Sequence, residues 1–511
     1  MSRTLSRAAV TVIVGFLAVA PAAVADESGG EYDLVLHGGR VIDPESGLDG
    51  IRDIAVEDGR IVAIAEDALH GAIEIDASSL VVAPGFIDLH THSPTPLGQD
   101  YQVRDGVTTA LELEAGAYPV REYGAAIADR ARMNYGASVG YGSIRLEVKL
   151  GIRQAHLAVG SPRPVDWRGY WTVLRSLFTT PDEVFREIAT PAERDRARAM
   201  LHKGLDDGGL GIGFPLDYMS EGVDADEARL VFEVAAERGV PVFIHLRRGV
   251  NGDPAGLREA LGLASETGAS VHVCHIQHNA MRNVELFLQE IRDARSRGVD
   301  VTTEVLPYDA GSAMISSAVF GRNWQEVFDI TYGDVEWAAT GERFDEAMWN
   351  EYRAKYPEGQ VIHHYVKEEW TQRAVLEPGV IVVSDLLPMH DETNKVAPHN
   401  GAFTKILGRY VREQGALDLQ AALAKMTILP ARRLEGFAPV FARKGRVQVG
   451  SDADLTIFDP ETVLDRATYA DPYQAADGIV HVIVGGELVV RDGELREAIA
   501  PGRRLLASGA E

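Results

Sequence analysis

Between residues 87 and 385, eight short apolar runs alternate with helical stretches. The runs are Ile87–His92, Thr108–Glu114, Ala137–Ile144, Gly211–Phe214, Val240–His245, Ser270–His275, Val301–Val305 and Val380–Asp385. Amphipathic stretches such as Asp226–Arg238 and Val284–Ser296 have the spacing of crossover helices. Strand–helix–strand units build parallel sheets, and eight of them close a (β/α)8 barrel, the TIM barrel, so the class is α/β. The flanks differ. Tyr32 to Ile75 reads as short alternating strands with glycine turns, Asp58-Gly59 being a hairpin signal. Arg446–Gly450, Ala453–Asp459 and Val480–Val490 repeat that texture at the other end. The two chain ends are expected to join as one small β-sandwich domain (26–82 with 436–511) beside a barrel spanning 83–435. A chain of 511 residues has room for both.

Active sites of such barrels gather at the C-terminal ends of the strands. The polar residues there are Asp88, His90 and His92 on the first strand, Glu114 on the second, and Tyr141 and Arg145 on the third. His245, His275 and Asp385 end the fifth, sixth and eighth. Strand side chains alternate faces, so Asp88, His90 and His92 point the same way. Two imidazoles together at a strand end suit one divalent metal. Any one of these residues alone is as well read as a buried side chain bonded to backbone. Four histidines and several carboxylates at one mouth are not explained by packing. His156, His278, His363, His364, His390 and His399 carry no such strand-end argument and read as surface or core.

The formal net charge of −26 argues against a nucleic-acid or anionic-membrane surface, either of which needs a basic patch. The expected partner is a small molecule. Arg3 and Arg7 precede the apolar run Ala8–Ala20, and Ala23-Val24-Ala25 is a small-residue cleavage site. Residues 1–25 therefore read as a secretory signal peptide, and a secreted or periplasmic location is expected. Its removal deepens the charge from −26 to −28, because it takes two Arg and no acid. No other apolar run reaches the ~18 residues of a membrane span. Cys274 is the only cysteine, so there is no internal disulfide. A homo-oligomer is compatible with this composition. The long gap 309–379 holds Trp324, Tyr332, Trp337, Trp349, Tyr352, Tyr356 and Trp370 and is expected to be a lid insertion over the site or a peripheral helical subdomain.

Several stretches carry a family resemblance: Ala83-Pro84-Gly85-Phe86-Ile87-Asp88-Leu89-His90-Thr91-His92, Gly106-Val107-Thr108-Thr109, Val305-Leu306-Pro307-Tyr308-Asp309-Ala310-Gly311 and Ser384-Asp385. Gly401-Ala402-Phe403, Met426-Thr427 with Pro430-Ala431-Arg432, and Gly450-Ser451-Asp452-Ala453-Asp454-Leu455 complete the set. With these, roughly residues 32–495 resemble the amidohydrolase superfamily, in its N-acyl-D-amino-acid deacylase (D-aminoacylase-like) branch. The resemblance implies the barrel with a β-sandwich. It also implies one or two Zn2+ ions and hydrolysis of a C–N amide bond in small N-acyl amino acids.

Carried over by motif, His90 and His92 resemble the ligands of the first metal, His245 and His275 those on the fifth and sixth strands, and Asp385 the catalytic base. The branch has a metal-ligating Cys after the Gly-Val-Thr-Thr strand, but Ala110-Leu111-Glu112-Leu113-Glu114-Ala115-Gly116 has none. Glu114 is the expected substitute, with Glu112 second and Lys149 standing for the carboxylated Lys of other superfamily members. In the implied mechanism, metal-activated water attacks the carbonyl and Asp385 takes its proton. Tyr308 is either a hydrogen-bond donor to the oxyanion or a packing residue of the rim. A substrate carboxylate needs a cation: Arg145, Arg247, Arg248 or Lys395, with Tyr218 in the pocket. The branch's Arg after His-Pro is absent from Pro398-His399-Asn400-Gly401, and its Ser-His-X-Lys becomes Cys274-His275-Ile276-Gln277. Both departures fall where substrate is held. A metal-dependent dipeptidase, a cyclic amidase of the hydantoinase or dihydroorotase type, and a non-catalytic periplasmic binding protein are the rival readings.

Overall fold

The computed structural model describes residues 32–510, apart from 177–182, 322, 393–396 and 398. The N-terminal leader and Lys395 thus lie outside the described residues. The eight barrel strands are β1 (Phe86–Asp88), β2 (Val107–Ala117), β3 (Asn134–Gly140), β4 (Ile212–Pro215), β5 (Pro241–His245), β6 (Ser270–Val273), β7 (Val301–Val305) and β8 (Val380–Val382). They pair in sequence order, all parallel. Just past β1 and β8, Asp385 N donates to His90 O (2.8 Å) and His92 N to Leu386 O (2.8 Å), which brings the first and last strands together. Val242, Phe243, Ile244, Ile381 and Val382 are buried on both faces of the sheet, as parallel strands covered by helices must be.

The third strand ends earlier than its apolar pattern suggests. Tyr141–Leu150 is a helix, not an extension of β3, because the chain turns at Gly140. The second strand is irregular where it matters. Its register with β3 breaks between Glu112 and Ala117, and Gly116 sits at φ +63° where a Cβ would lie 2.5 Å from Ser138 Oγ. That bulge re-aims the side chains at the strand end.

Strands from both chain ends form one nine-stranded sheet. Val81–Pro84 joins them, pairing parallel with Tyr32–Asp43 and antiparallel with Leu455–Phe458. Leu34, Ile54, Val82, Leu455, Ile457 and Ile483 share its apolar core. At Gly85 the chain passes into the barrel; a Cβ there would lie 2.2 Å from Thr108 Oγ1. The tail leaves this sheet. Leu505 and Leu506 are buried in the barrel's core, and Tyr135 N of β3 bonds to Arg503 O (3.0 Å).

The gap 309–379 is mixed, with helices Trp324–Phe328, Glu346–Lys355 and Glu368–Leu376 as well as strands. It carries its own antiparallel four-stranded sheet of Ala310–Met314, Val335–Trp337, Glu342–Arg343 and Gln360–His364. Its aromatic residues, including Phe320, Trp324, Phe328 and Trp349, build a separate core.

Candidate metal centre

Six side chains converge at the C-terminal mouth of the barrel. His90 and His92 follow β1, Glu114 ends β2, His245 ends β5, His275 follows β6 and Asp385 follows β8. Two of them have left-handed backbone, His275 at φ +30° and Asp385 at φ +51°. For non-glycine residues that conformation costs free energy and is kept where the surroundings impose it.

Two imidazole nitrogens lie close to each other and to one oxygen each of Glu114 and Asp385. His90 Nε2 lies 3.2 Å from His92 Nε2. Glu114 Oε2 is 3.3 Å from the first and 3.4 Å from the second. Asp385 Oδ1 is 3.4 Å and 3.2 Å from the same two nitrogens. A tetrahedral ion with ligands about 2.0–2.1 Å away has ligand–ligand edges of about 3.3–3.4 Å. All five separations fall within about 0.2 Å of that range, so His90 and His92 form, with either carboxylate oxygen, a three-donor face that fits one divalent ion. The second oxygen of Glu114 turns the other way, 2.7 Å from His245 Nδ1 and 3.1 Å from His275 Nε2. Glu114 thus links two pairs of imidazoles.

Electrostatics agree. Burial would raise the Glu114 carboxyl, but His90 and His245 outweigh it and hold it well below the usual range. Asp385 is likewise held low against burial by His90 and His92. Burial lowers His90 and His92, yet the carboxylates around them push both well above the ordinary value. A bound cation would compete with any proton on these nitrogens.

Glu112 is not a ligand. Its Oε2 is 2.6 Å from both His92 Nδ1 and His156 Nε2, and Oε1 accepts from Ala115 N (3.0 Å). Lys149 is no bridge either: its ammonium bonds to Ile188 O (2.8 Å) and Glu193 (3.2 Å). Asp88 turns away to Ser384 and Gln102, tying β1 to the segment after β8.

The cleft over the centre is lined by His92, Glu114, Tyr218, His245, His275 and Asp385, with His278, His399, Leu387 and Ala310-Gly311-Ser312 completing the wall. A larger cavity, about 410 Å³, lies at the other end of the strands around Arg433 and Asp300 and holds none of the converging histidines. Tyr218 packs edge-on against His245, 5.1 Å between centroids.

Tyr308 does not face the centre. Its ring stacks on His399 (4.6 Å) under the Lys405 ammonium (4.4 Å). Its buried hydroxyl, without a hydrogen-bond partner, abuts Gly401. The rim-packing role is the one the structure gives it. Arg145 is also corrected. Helix Tyr141–Leu150 carries it into the protein, where it pairs with Glu227 and donates to Val184 O, Glu187 O and Gly222 O. Arg247 pairs with Glu259 (3.0 Å) and donates to Ser220 O and Val223 O, fastening a loop. Arg248 is buried near the cleft. Its guanidinium lies over Phe328 (4.8 Å) and Tyr365 (5.4 Å), and the Tyr365 hydroxyl bonds to His278 of the cleft wall (2.7 Å).

Sequence reasoning missed Glu304, His156, His278 and His399. Glu304 had a signal, a charge inside the apolar strand Val301–Val305. The three histidines sit on loops and short turns, where no periodicity marks them.

A model of the amidohydrolase family matches residues 364–490. An N-acyl-D-glutamate deacylase of Alcaligenes xylosoxydans xylosoxydans is 30% identical over 89% of this chain and 93% of its own length. The chain belongs to the amidohydrolase family, in its D-aminoacylase branch. A D-aminoacylase of the same organism is also 30% identical, over 89% of this chain and 94% of that one. The crystal structure of a Bordetella bronchiseptica N-acyl-D-glutamate deacylase, complexed with zinc and a phosphonate inhibitor, superimposes with a TM-score of 0.74. It is 27% identical and covers 94% of this chain and all of that one. This amidohydrolase is therefore a metal-dependent hydrolase of C–N bonds.

Proposed function

We propose that the protein hydrolyses the amide bond of small N-acyl amino acids with zinc as its metal. His90, His92, Glu114 and Asp385 would hold the first ion, and His245, His275 and the other oxygen of Glu114 are the donors for a second. The observation that carries this reading is the spacing of the two imidazole nitrogens of His90 and His92 from each other and from an oxygen of Glu114 and of Asp385 at the mouth of the barrel. When bound, zinc would polarise the scissile carbonyl and acidify water.

The chain's own residues do the rest. Asp385 stays ionised and takes the proton of the attacking water, then returns it to the leaving amine. Tyr218, whose phenol lines the cleft where Tyr308 does not, hydrogen-bonds the substrate carbonyl. Of the cations expected to meet a substrate carboxylate, Arg145 and Arg247 are committed elsewhere. Arg248, on the aromatic wall beside His278, takes that role.

The test is a screen of N-acyl-L-amino acids, N-acyl-D-amino acids and dipeptides with zinc-loaded enzyme, repeated on Asp385→Asn. Asp385→Asn is expected to lose about 10²- to 10⁴-fold in kcat, with zinc still held by His90, His92 and Glu114 and by the amide oxygen that replaces the carboxylate. A protein that purifies without any transition metal and takes none up, or an Asp385→Asn variant of full activity, refutes the reading. Export rests on the leader of residues 1–25, and N-terminal sequencing of protein from the periplasmic fraction tests it. A start near Asp26 is the expected result.

A further inference from the structure

Two histidine–glutamate–histidine relays stand behind the centre. In one, Glu112 Oε2 lies 2.6 Å from His92 Nδ1 and 2.6 Å from His156 Nε2, while Oε1 accepts from Ala115 N. In the other, Glu304 Oε1 lies 2.5 Å from His90 Nδ1 and accepts from His275 N (3.3 Å), while Oε2 lies 2.8 Å from His272 Nε2. Each carboxylate meets two imidazoles and one backbone N–H. Both are fully buried, at 0% and 1% exposure. An ionised carboxylate only accepts, so every ring nitrogen facing it carries a proton. His90 and His92 therefore keep Nδ1–H. That leaves their Nε2 atoms, the two that face each other at 3.2 Å, as the ones a bound ion would take in place of any proton there.

The outer histidines fix the carboxylates in turn. His272 donates through Nε2, so its Nδ1 accepts from the Thr302 hydroxyl (2.7 Å). His156 comes from the loop after helix Tyr141–Leu150. It packs edge-on against Tyr123 (5.4 Å), and its Nδ1 is buried without a hydrogen-bond partner. His156 thus meets Glu112 through Nε2 alone.

We propose that Glu112, braced by His156, and Glu304, braced by His272, are the positioning residues that lock His92 and His90 in the tautomer able to bind an ion through Nε2. The sequence placed Glu112 among the ligands; its geometry gives it this other task. The inference rests on the metal reading of the same site but not on any substrate.

Glu112→Gln separates this role from simple packing. The amide has the shape of the carboxylate, but one end now donates. Ala115 N–H requires an acceptor at the Oε1 position, so the NH2 is placed at the Oε2 position, against His92 Nδ1. That nitrogen must then accept, and the proton moves to Nε2, where it blocks the ion. The experiment is a zinc competition titration of the metal-free protein against a chromogenic chelator, with thermal unfolding of the same metal-free samples. Glu112→Gln is expected to weaken zinc binding by about 10- to 100-fold, the usual effect of losing such a partner. Glu112→Asp should recover part of the loss, and His156→Asn, which leaves the carboxylate in place, should lose less than Glu112→Gln. The Tm of metal-free Glu112→Gln should stay close to the parent. Parental zinc affinity in Glu112→Gln overturns the proposal, as does a His156→Asn loss at least as large as that of Glu112→Gln. If the parent itself takes up no zinc, it is the metal reading that fails. If the Gln variant does not fold, Glu304→Gln, read in the same way at His90, replaces it.

Discussion

Replacing Glu114 by Ala removes the one side chain that touches both halves of the centre. Its oxygens lie 2.7–3.4 Å from nitrogens of His245, His275, His90 and His92, and the carboxylate is 4% exposed. Glu112 cannot swing in to replace it, because two imidazoles and Ala115 N hold it. Deleting one partner from a buried charge cluster costs about 3–5 kcal/mol. At about 1.4 kcal/mol per tenfold change, that is a loss of roughly 100- to 4,000-fold in zinc affinity. Glu112→Ala acts only through His92 and is expected to cost about 10- to 100-fold. Competition titrations with a chelator, read beside the metal content of the dialysed proteins, give both numbers. Thermal unfolding of the metal-free variants separates lost ligands from lost folding. The reasoning is refuted if Glu112→Ala loses more zinc than Glu114→Ala, which would move the bridge one pleat back along β2. It is also refuted if Glu114→Ala binds zinc like the parent.

Three further outcomes follow from where the structure puts other residues. Arg145→Met strips Glu227 of its buried partner and should cost about 3–5 kcal/mol of stability while leaving KM unchanged; a raised KM at unchanged Tm would return Arg145 to the substrate. Tyr308→Phe removes a hydroxyl that meets only the Gly401 backbone and should keep kcat within a few-fold of the parent, whereas a 10²-fold loss in steady-state assays would restore the oxyanion role. Burial lowers the Lys425 ammonium from its ordinary 10.5 to about 8. Between those values the unfolded chain binds the extra proton, so this residue makes stability rise with pH, by at most about 3 kcal/mol. Urea unfolding from pH 8 to 10.5 should show a steeper rise for the parent than for Lys425→Met, and equal slopes would refute it.

The barrel was legible because a strand buried on both faces writes itself as a short apolar run, and each of the eight runs overlaps one of the barrel strands. The ends of those runs were less legible. Ala137–Ile144 looked like one strand because its apolar pattern continues past Gly140, where the backbone turns into a helix. That single error carried Arg145 to the mouth of the barrel, when one helical turn takes it to Glu227 instead. Side chains at strand ends were found because alternation says which way they face. His156, His278 and His399 were not, since a residue delivered by a loop leaves no period in the sequence. Glu112 and Glu114 share a face of β2, and periodicity alone could not rank them. The bulge between Glu112 and Ala117 separates their tasks, and nothing but the three-dimensional register shows it.

Charge ties these features together. Four carboxylates, Glu112, Glu114, Glu304 and Asp385, are gathered around His90, His92, His245 and His275. Neutral imidazoles would leave four negative charges in a space that water hardly enters, and burying even one unpaired charge is costly. Against burial, the surrounding carboxylates push His90 and His92 well above the ordinary histidine value. Two divalent cations would balance the same four charges with every imidazole neutral. A thiolate in place of Glu114 would offer one charged atom to both halves. The carboxylate offers two, 2.7 Å from His245 on one side and 3.3 Å from His90 on the other. Two oxygens reaching opposite ways put Glu114 against both pairs of imidazoles, while Glu112 and Glu304 face the Nδ1 atoms of His92 and His90.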